Sequence, residues 1–496
     1  MPVRLLAALA LLLPAAALSA EPVSTEALRA HIDVLASDGF EGREPGTEGE
    51  RKTIAYIAGQ MRAFGLEPAG PLNSWYQPLE VLDRRPGEQT SVWQARGGKR
   101  ERIELSRDEI VLIGRSARET LERAPVIFAG HGAVIPDKGI DQLAGADLKG
   151  AVVLILYDAP AAAGFPAYSK RVEAVAAAGA AAVIGIIGQE LPWPIVLRTY
   201  EAGSKRLAIH APAPLAGAVS QSAAESLMRA AGSDLAALLA VPGPSFTPVP
   251  LRLRASFEVA TAIRTIQTSN VIGRVRGSGG GGESLLYLSH WDHLGLCEPE
   301  GKDRICNGAV DNASGIAALL EIARAFGKGP RPKRDILFLA TTAEEMGLLG
   351  AEYFASRPSV PLASIVAAIN MDTLAIAPKG EKVAVMGRGH AALDALIDRT
   401  VAEAGRTLDG DDEADAFIER QDGWALARAG VPAIMVNGSF ADMKKLGAFL
   451  AGPYHSAADN PGPGMILDGA AEDTDLMIAL GRKLADPAQF PAPARP

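Results

Sequence analysis

Five short clusters of acidic and imidazole side chains recur along the chain. They are Ser289-His290-Trp291-Asp292, Gly308-Ala309-Val310-Asp311-Asn312, Ala343-Glu344-Glu345, Asn370-Met371-Asp372 and Tyr454-His455. The clusters at His290, Glu344-Glu345 and Asp372 follow or end a short apolar run, which puts them at the carboxyl ends of buried strands, where α/β sheets form their sites. Convergent imidazoles and carboxylates point to a metal centre. His290 can bind a metal while Asp292, two positions on in extended backbone, accepts the other ring N–H. Asp311 sits in a turn that opens a helix, either as an N-cap carboxylate or as a bridge between two cations. Adjacent carboxylates after a buried strand are costly unless something positive compensates. One of Glu344 and Glu345 as ligand, with its neighbour as general base toward water, meets that need. Asp372 adds a carboxylate and His455 a second imidazole.

With Asp311, Glu345 and Asp372 as ligands, three negative charges face four positive ones from two divalent cations. A set without thiolate suits zinc, with cobalt or manganese as alternatives. Tyr454 is placed to donate a hydrogen bond to an oxyanion, and hydrolysis of an amide bond is the reaction such groups serve. Other groups carry less. His293 is an alternative ligand that extended geometry turns away from the face of His290, and His390 reads as a residue packed at a helix start. No Gly-x-Ser-x-Gly elbow accompanies Ser289. The acidic loop 409–415 lacks EF-hand spacing and reads as a solvated face.

The elements that must position these groups alternate strand and helix. Strands are expected at 257–267, 270–275, 284–289, 335–341, 364–370, 383–386 and 433–436. Helices are expected at 25–36, 48–64, 316–326, 346–355, 391–404, 424–429 and 471–484. The fold class is α/β, a mixed and mostly parallel sheet flanked by helices on both faces. Residues 105–250 have the texture of a separate small α/β or β-rich module, with 242–250 as a boundary. The catalytic domain is then split into 21–104 and 251–486, and 487–496 forms a loose Pro/Ala tail. The glycines at 277–282 and around His131 lack the rest of any nucleotide fingerprint.

At 496 residues the chain has room for several domains, and a net charge of −9 gives no footprint for nucleic acid. Residues 1–20 read as a signal peptide: Arg4, an apolar run, then small residues for cleavage. Later apolar runs are too short or too charged to span a membrane, so the expected product is exported, periplasmic or secreted, without stable membrane insertion. The sequence leaves its oligomeric state open. In that compartment Cys297 and Cys306, nine positions apart, read as a disulfide closing a short hairpin, with a zinc-ligand pair as the alternative.

The clusters resemble those of the M28 family of zinc aminopeptidases, in its exported bacterial form with an inserted protease-associated domain. The segments that carry the likeness are Ser289-His290-Trp291-Asp292-His293-Leu294-Gly295, Gly308-Ala309-Val310-Asp311-Asn312-Ala313-Ser314-Gly315, Ala343-Glu344-Glu345-Met346-Gly347-Leu348-Leu349-Gly350, Asn370-Met371-Asp372 and Tyr454-His455-Ser456. The resemblance implies two zinc ions, one on His290 and Asp372, the other on Glu345 and His455, with Asp311 bridging. It implies Glu344 as general base and acid, Asp292 as the residue orienting His290, and Tyr454 as oxyanion donor. Residues 105–250 would be the protease-associated domain, and peptides the substrates. The chain departs from the family at Arg420-Gln421-Asp422-Gly423, where relatives have Arg-Ser-Asp-His; Arg420 and Asp422 are expected to contact substrate. The expected activity is removal of N-terminal residues from peptides. Its competitors are a carboxypeptidase or dipeptidase on the same metals, a single-zinc glutaminyl cyclase, and a non-catalytic peptide-binding module.

Overall fold

Short runs that are apolar at every position become strands buried on both faces, the pattern of a parallel sheet covered by helices. The computed structural model describes residues 21–95, 101–158, 164–210, 214–239, 246–280, 282–297 and 301–492. The predicted signal peptide, residues 242–245 of the 242–250 boundary and the last four residues of the tail lie outside the described residues. Contacts divide the chain into two compact units, Met1–Pro78 with Ser269–Pro496, and Leu79–Thr268.

In the first unit the strands lie in the order Ala384–Met386, Ala433–Asn437, Ile365–Asn370, Ser284–His290, Asp335–Thr341, then the end of Val249–Val275. The four central strands pair in parallel, while Ala384–Met386 and the last strand are antiparallel. This is the mixed, mostly parallel α/β sheet that the alternation of strand and helix predicts. Alternate residues of Ser284–His290 face opposite layers. Leu285 and Tyr287 meet the helices Thr25–Leu35, Ser314–Lys328 and Leu467–Leu484, whereas Leu286 and Leu288 pack with Phe354 and Leu426 on the other side. Leu28 and Ile32 of the first helix are each 1% exposed; burying such a side chain contributes about 1.5–3 kcal/mol. Ser24 caps that helix by accepting from Ala27 N at 3.1 Å.

Several elements differ from expectation. The strands predicted at 257–267 and 270–275 are one continuous strand, Val249–Val275. The helix expected from 346 begins at Leu349, because Leu348 takes a left-handed conformation and a turn precedes it. A helix at Met443–Leu450 was not foreseen. The tail is not loose to its end: Phe490 is 3% exposed, and Arg334 Nη1 donates to its carbonyl at 2.7 Å.

The second unit has its own core around Trp93, Phe128, Ile184 and Phe257. Its strands Arg118–Phe128, Val152–Leu156, Ala182–Ile187 and Leu215–Ser220 pair in parallel, with antiparallel strands at both sides. The expected limits 105–250 fall inside it, since the long strands Tyr76–Ala95 and Val249–Val275 extend its core at both ends. No helix among the described residues is long and apolar enough to cross a membrane.

Cys297 and Cys306 form a disulfide between the short antiparallel strands Gly295–Leu296 and Ile305–Cys306. Closing so short a loop restrains the unfolded chain by about 2–3 kcal/mol. Replacing both cysteines by serine is expected to lower the free energy of unfolding by that amount in a urea titration; an unchanged midpoint would show that the bridge adds no stability.

Candidate metal centre

Register brings the chemistry together. His290 lies opposite Thr341 on one neighbouring strand, and Leu288 lies opposite Asn370 on the other. The residues just past these strand ends, Glu344, Glu345 and Asp372, therefore emerge beside His290. Asp311 arrives from the turn before Ser314–Lys328, and His455 from a loop after Met443–Leu450.

His290 Nε2 stands 3.4 Å from Asp311 Oδ1 and 3.5 Å from Asp372 Oδ1. His455 Nε2 stands 3.3 Å from Asp311 Oδ2 and 3.0 Å from Glu345 Oε2. Asp311 thus turns one oxygen to each imidazole. Grouping donors by distance alone also brings Glu344 to His290 and Asp372, and His293 to Asp311 and Glu345. Tyr454 stacks on His455 with ring centroids 3.7 Å apart.

These donors fit zinc. Ligands at 2.0–2.1 Å in a tetrahedron stand about 3.3 Å from one another, which matches the spacings at both imidazoles. The charge also fits. Burial would lower the pKa of His290, but Glu344, Asp372 and Asp311 raise it well above the usual imidazole range. His455 is pushed up to about 9, burial again being outweighed by Asp311 and Glu345. A pocket that drives imidazoles to hold protons has a place for cations.

The adjacent glutamates are driven apart. Burial raises Glu344 well above the carboxylate range, helped by Glu345, Asp372 and Asp422 and opposed by His290. Burial acts on Glu345 too, but hydrogen bonds from His293 and His455 outweigh it and hold the carboxyl below its ordinary value. Tyr454 is raised by burial and by the surrounding carboxylates, so it keeps its proton.

The loops are fixed by polar groups that sequence reasoning missed. Arg43, 1% exposed, donates to the carbonyls of Leu35, Trp291, Asn307 and Gly308 at 2.5–2.9 Å. Asp459 accepts from Val310 N at 2.9 Å and Asp311 N at 3.0 Å, tying the His455 loop to the Asp311 turn. Asn270 accepts from Thr342 N at 3.0 Å and donates to Gly350 O at 2.9 Å, so it holds the Glu344-Glu345 loop at both ends. Asn312 Oδ1 accepts from Gly315 N at 2.9 Å in the first turn of Ser314–Lys328. Asn312, not Asp311, therefore serves that helix start, and the Asp311 carboxylate stays free to face the imidazoles. Gly42 has φ +63°, and a Cβ there would collide with the carbonyl oxygens of Gly295 and Cys306.

Asp292 sits differently from expectation. His290 Nδ1 faces the Asp292 backbone carbonyl at 3.2 Å, while the carboxylate is 4.0 Å away. The strand ends at His290, so alternation no longer governs the next residues. The carboxylate instead accepts from Glu344 N at 3.1 Å, linking the two loops. Asp422 is 1% exposed and accepts from the Thr341 hydroxyl beneath the site, an orientation that leaves it no surface for substrate. Arg420 lines a small pocket beside Asp372, with Phe417, Met435, Phe440, Leu446 and Tyr454.

Against known proteins, residues 270–463 match the model of peptidase family M28. A curated relative, the aminopeptidase NAALADL1 of Rattus norvegicus, is 34% identical over 120 residues, 23% of this chain and 15% of the relative. A probable zinc metalloprotease of Pyrenophora teres f. teres (strain 0-1) is 35% identical over 107 residues, 22% of this chain and 23% of the relative. The chain thus spans less than a quarter of the length of either. Among solved structures, the aminopeptidase from Aneurinibacillus sp. strain AM-1 shares the fold at 18% identity, with a TM-score of 0.56 over 92% of this chain and 93% of that one.

Proposed function

We propose that the chain is a zinc-dependent aminopeptidase, hydrolysing the first peptide bond of unblocked peptides. The observation that carries this reading is the opposed environment of the two adjacent carboxylates: Glu344 is pushed toward holding a proton and Glu345 toward giving its proton up. Environments that drive neighbouring carboxyls in opposite directions assign one to proton transfer and the other to charge. His290, Asp372, Glu345 and His455, with Asp311 between them, would hold two zinc ions. Zinc bound there supplies Lewis-acid polarisation of the scissile carbonyl and acidifies water. Glu344 takes the proton of the attacking water and passes it to the departing amine nitrogen, so that water and an amide yield a carboxylate and an amine. Tyr454 Oη donates to the oxygen that becomes negative in the tetrahedral intermediate. Asp292 keeps the Glu344 loop in place through its bond to Glu344 N. Residues 105–250, which fall inside the unit Leu79–Thr268, are read as the inserted protease-associated module, on the sequence resemblance, and the leader at 1–20 as an export signal.

The pocket beside Asp372 supports an apolar leading side chain. Met435, Phe440, Leu446 and Leu450 line it, and the Arg420 guanidinium, 5.5 Å over the Phe417 ring, adds a positive charge. Peptides that begin with leucine or methionine are expected to be cleaved with kcat/KM about 10-fold or more above those that begin with alanine, and lysine to be worst. Equal rates across the four would remove the pocket from the reading. Arg420 also favours a second reading, a carboxypeptidase in which this cation receives the substrate carboxylate. A peptide panel blocked at either end decides: loss of cleavage on N-acetylation alone supports the aminopeptidase, and loss on C-amidation alone supports the carboxypeptidase. Zinc content near two per chain argues against a one-zinc cyclase.

A further inference from the structure

His293 has no place in the ligand set implied by the family likeness, yet it is the most tightly held imidazole of the centre. Its side chain is fully buried, and its Nδ1 lies 2.6 Å from Glu345 Oε1. Against a carboxylate that nitrogen carries the hydrogen and donates it. Asp311 Oδ2, at 3.8 Å from the same nitrogen, is beyond hydrogen-bond reach. The backbone N–H of His293 donates to Arg43 O at 3.3 Å. Its ring lies against Gly308, where any Cβ would meet the ring carbons at 2.6 Å; Gly308 also has φ +56°. Residue 308 is thereby confined to glycine, and the ring is confined to one orientation. The ring also meets His455 edge-on, with centroids 5.7 Å apart.

The consequence falls on Glu345. Oε1 is occupied by His293, so only Oε2 is turned to His455 Nε2, 3.0 Å away. We propose that His293 is a positioning residue for the second metal: it holds Glu345 so that a single oxygen is presented beside His455 and Asp311, and it thereby sets the affinity of that half of the centre. The inference rests on the zinc reading above. Partners that orient a ligand in this way typically change metal affinity by about 10- to 100-fold when removed. The effect is expected on one of two ions, because among the described residues no hydrogen bond or ion pair joins His293 to His290 or Asp372.

The test is equilibrium zinc binding by the mature chain, in competition with a chromophoric chelator, for the parent, His293→Ala and His293→Asn. The parent is expected to bind two ions. His293→Ala is expected to weaken one of them by about 10- to 100-fold and leave the other unchanged. His293→Asn keeps an N–H at a similar place and is expected to recover some of the loss, which a merely space-filling role would not produce. Circular dichroism of the metal-free proteins checks that the variants fold, and if His293→Ala does not, the comparison of parent with His293→Asn, and with His293→Gln, carries the test through a graded weakening of the same ion. Unchanged affinities for both ions in all variants overturn the proposal and leave the zinc reading standing. Equal loss of both ions overturns it as well. A parent that binds no zinc overturns both. X-ray absorption at the zinc edge adds a separate outcome: two imidazoles shared by the two ions agree with positioning, and a third makes His293 a ligand and overturns it.

Discussion

Glu344→Gln is expected to lower kcat by about 10²- to 10⁴-fold while the protein still binds two zinc ions. The amide keeps the size of the carboxylate but offers no basic oxygen. Its backbone is held independently of the side chain, since Asp292 accepts from Glu344 N at 3.1 Å, so the substitution removes the proton acceptor without moving the loop. Glu344 Oε2 is 3.9 Å from His290 Nε2, farther than either Asp311 or Asp372, which separates it from the donors closest to that imidazole. The measurements are kcat on a leucine anilide and zinc content by mass spectrometry. A variant within threefold of the parent rate would end the general-base assignment, and loss of one zinc would make Glu344 a ligand instead. The pH profile gives a second reading. A base is active when unprotonated, so kcat/KM falls as pH is lowered through its pKa. Burial raises that pKa, and cations bound beside it would lower it, so the position of the acid limb reads the balance of the two. In Glu344→Gln this limb should vanish from the residual activity.

The adjacent site gives the contrast. Glu345→Gln is expected to act through metal content, because its Oε2 faces His455 and its pKa is held down by hydrogen bonds. Two neighbours with the same side chain would then fail in different ways, one in rate with metal retained and one in metal.

Much of this centre was legible in the sequence because parallel strands fix where their ends lie. An apolar run followed at once by His290, by Glu344-Glu345 or by Asp372 marks a strand end, and in-register pairing brings those ends together. The groups that hold the loops were not legible. Arg43 meets Trp291 and Asn307 across 248 and 264 residues of chain, and Asp459 meets Asp311 across 148. No local period records such partners. His293 was set aside by extending strand alternation one step too far, past the point where Ser284–His290 ends. Asp422 was expected at substrate because it stands with Arg420 in the segment that resembles the family's Arg-Ser-Asp-His, but the polypeptide turns between them. Arg420 stands at the pocket and Asp422 beneath the sheet end, with Thr341. A motif read as a line cannot separate the two.

Arg43→Met is expected to lower the free energy of unfolding by about 3–5 kcal/mol, the usual loss when one partner of a buried charged network is removed. The guanidinium bonds four carbonyl oxygens that have left water, and a thioether replaces none of those bonds. Burial lowers its pKa to about 10, with Asp311, Asp459, Asp292 and Glu345 pulling the other way, so it is fully charged at neutral pH. Arg43→Lys keeps the charge but not the planar fork, and one ammonium cannot reach carbonyls arranged around a guanidinium; it is expected to recover less than half of the loss. Urea unfolding followed by tryptophan fluorescence measures both. Because Trp291 O belongs to the loop that follows His290, and Asn307 O and Gly308 O to the turn that carries Asp311, Arg43 joins the two segments that would supply these proposed ligands. The variant should therefore also bind zinc more weakly under conditions where it remains folded. A folded Arg43→Met protein with the stability and zinc affinity of the parent would show that the two loops hold their positions without the arginine, and that the bonds to Asp459 and Asn312 suffice.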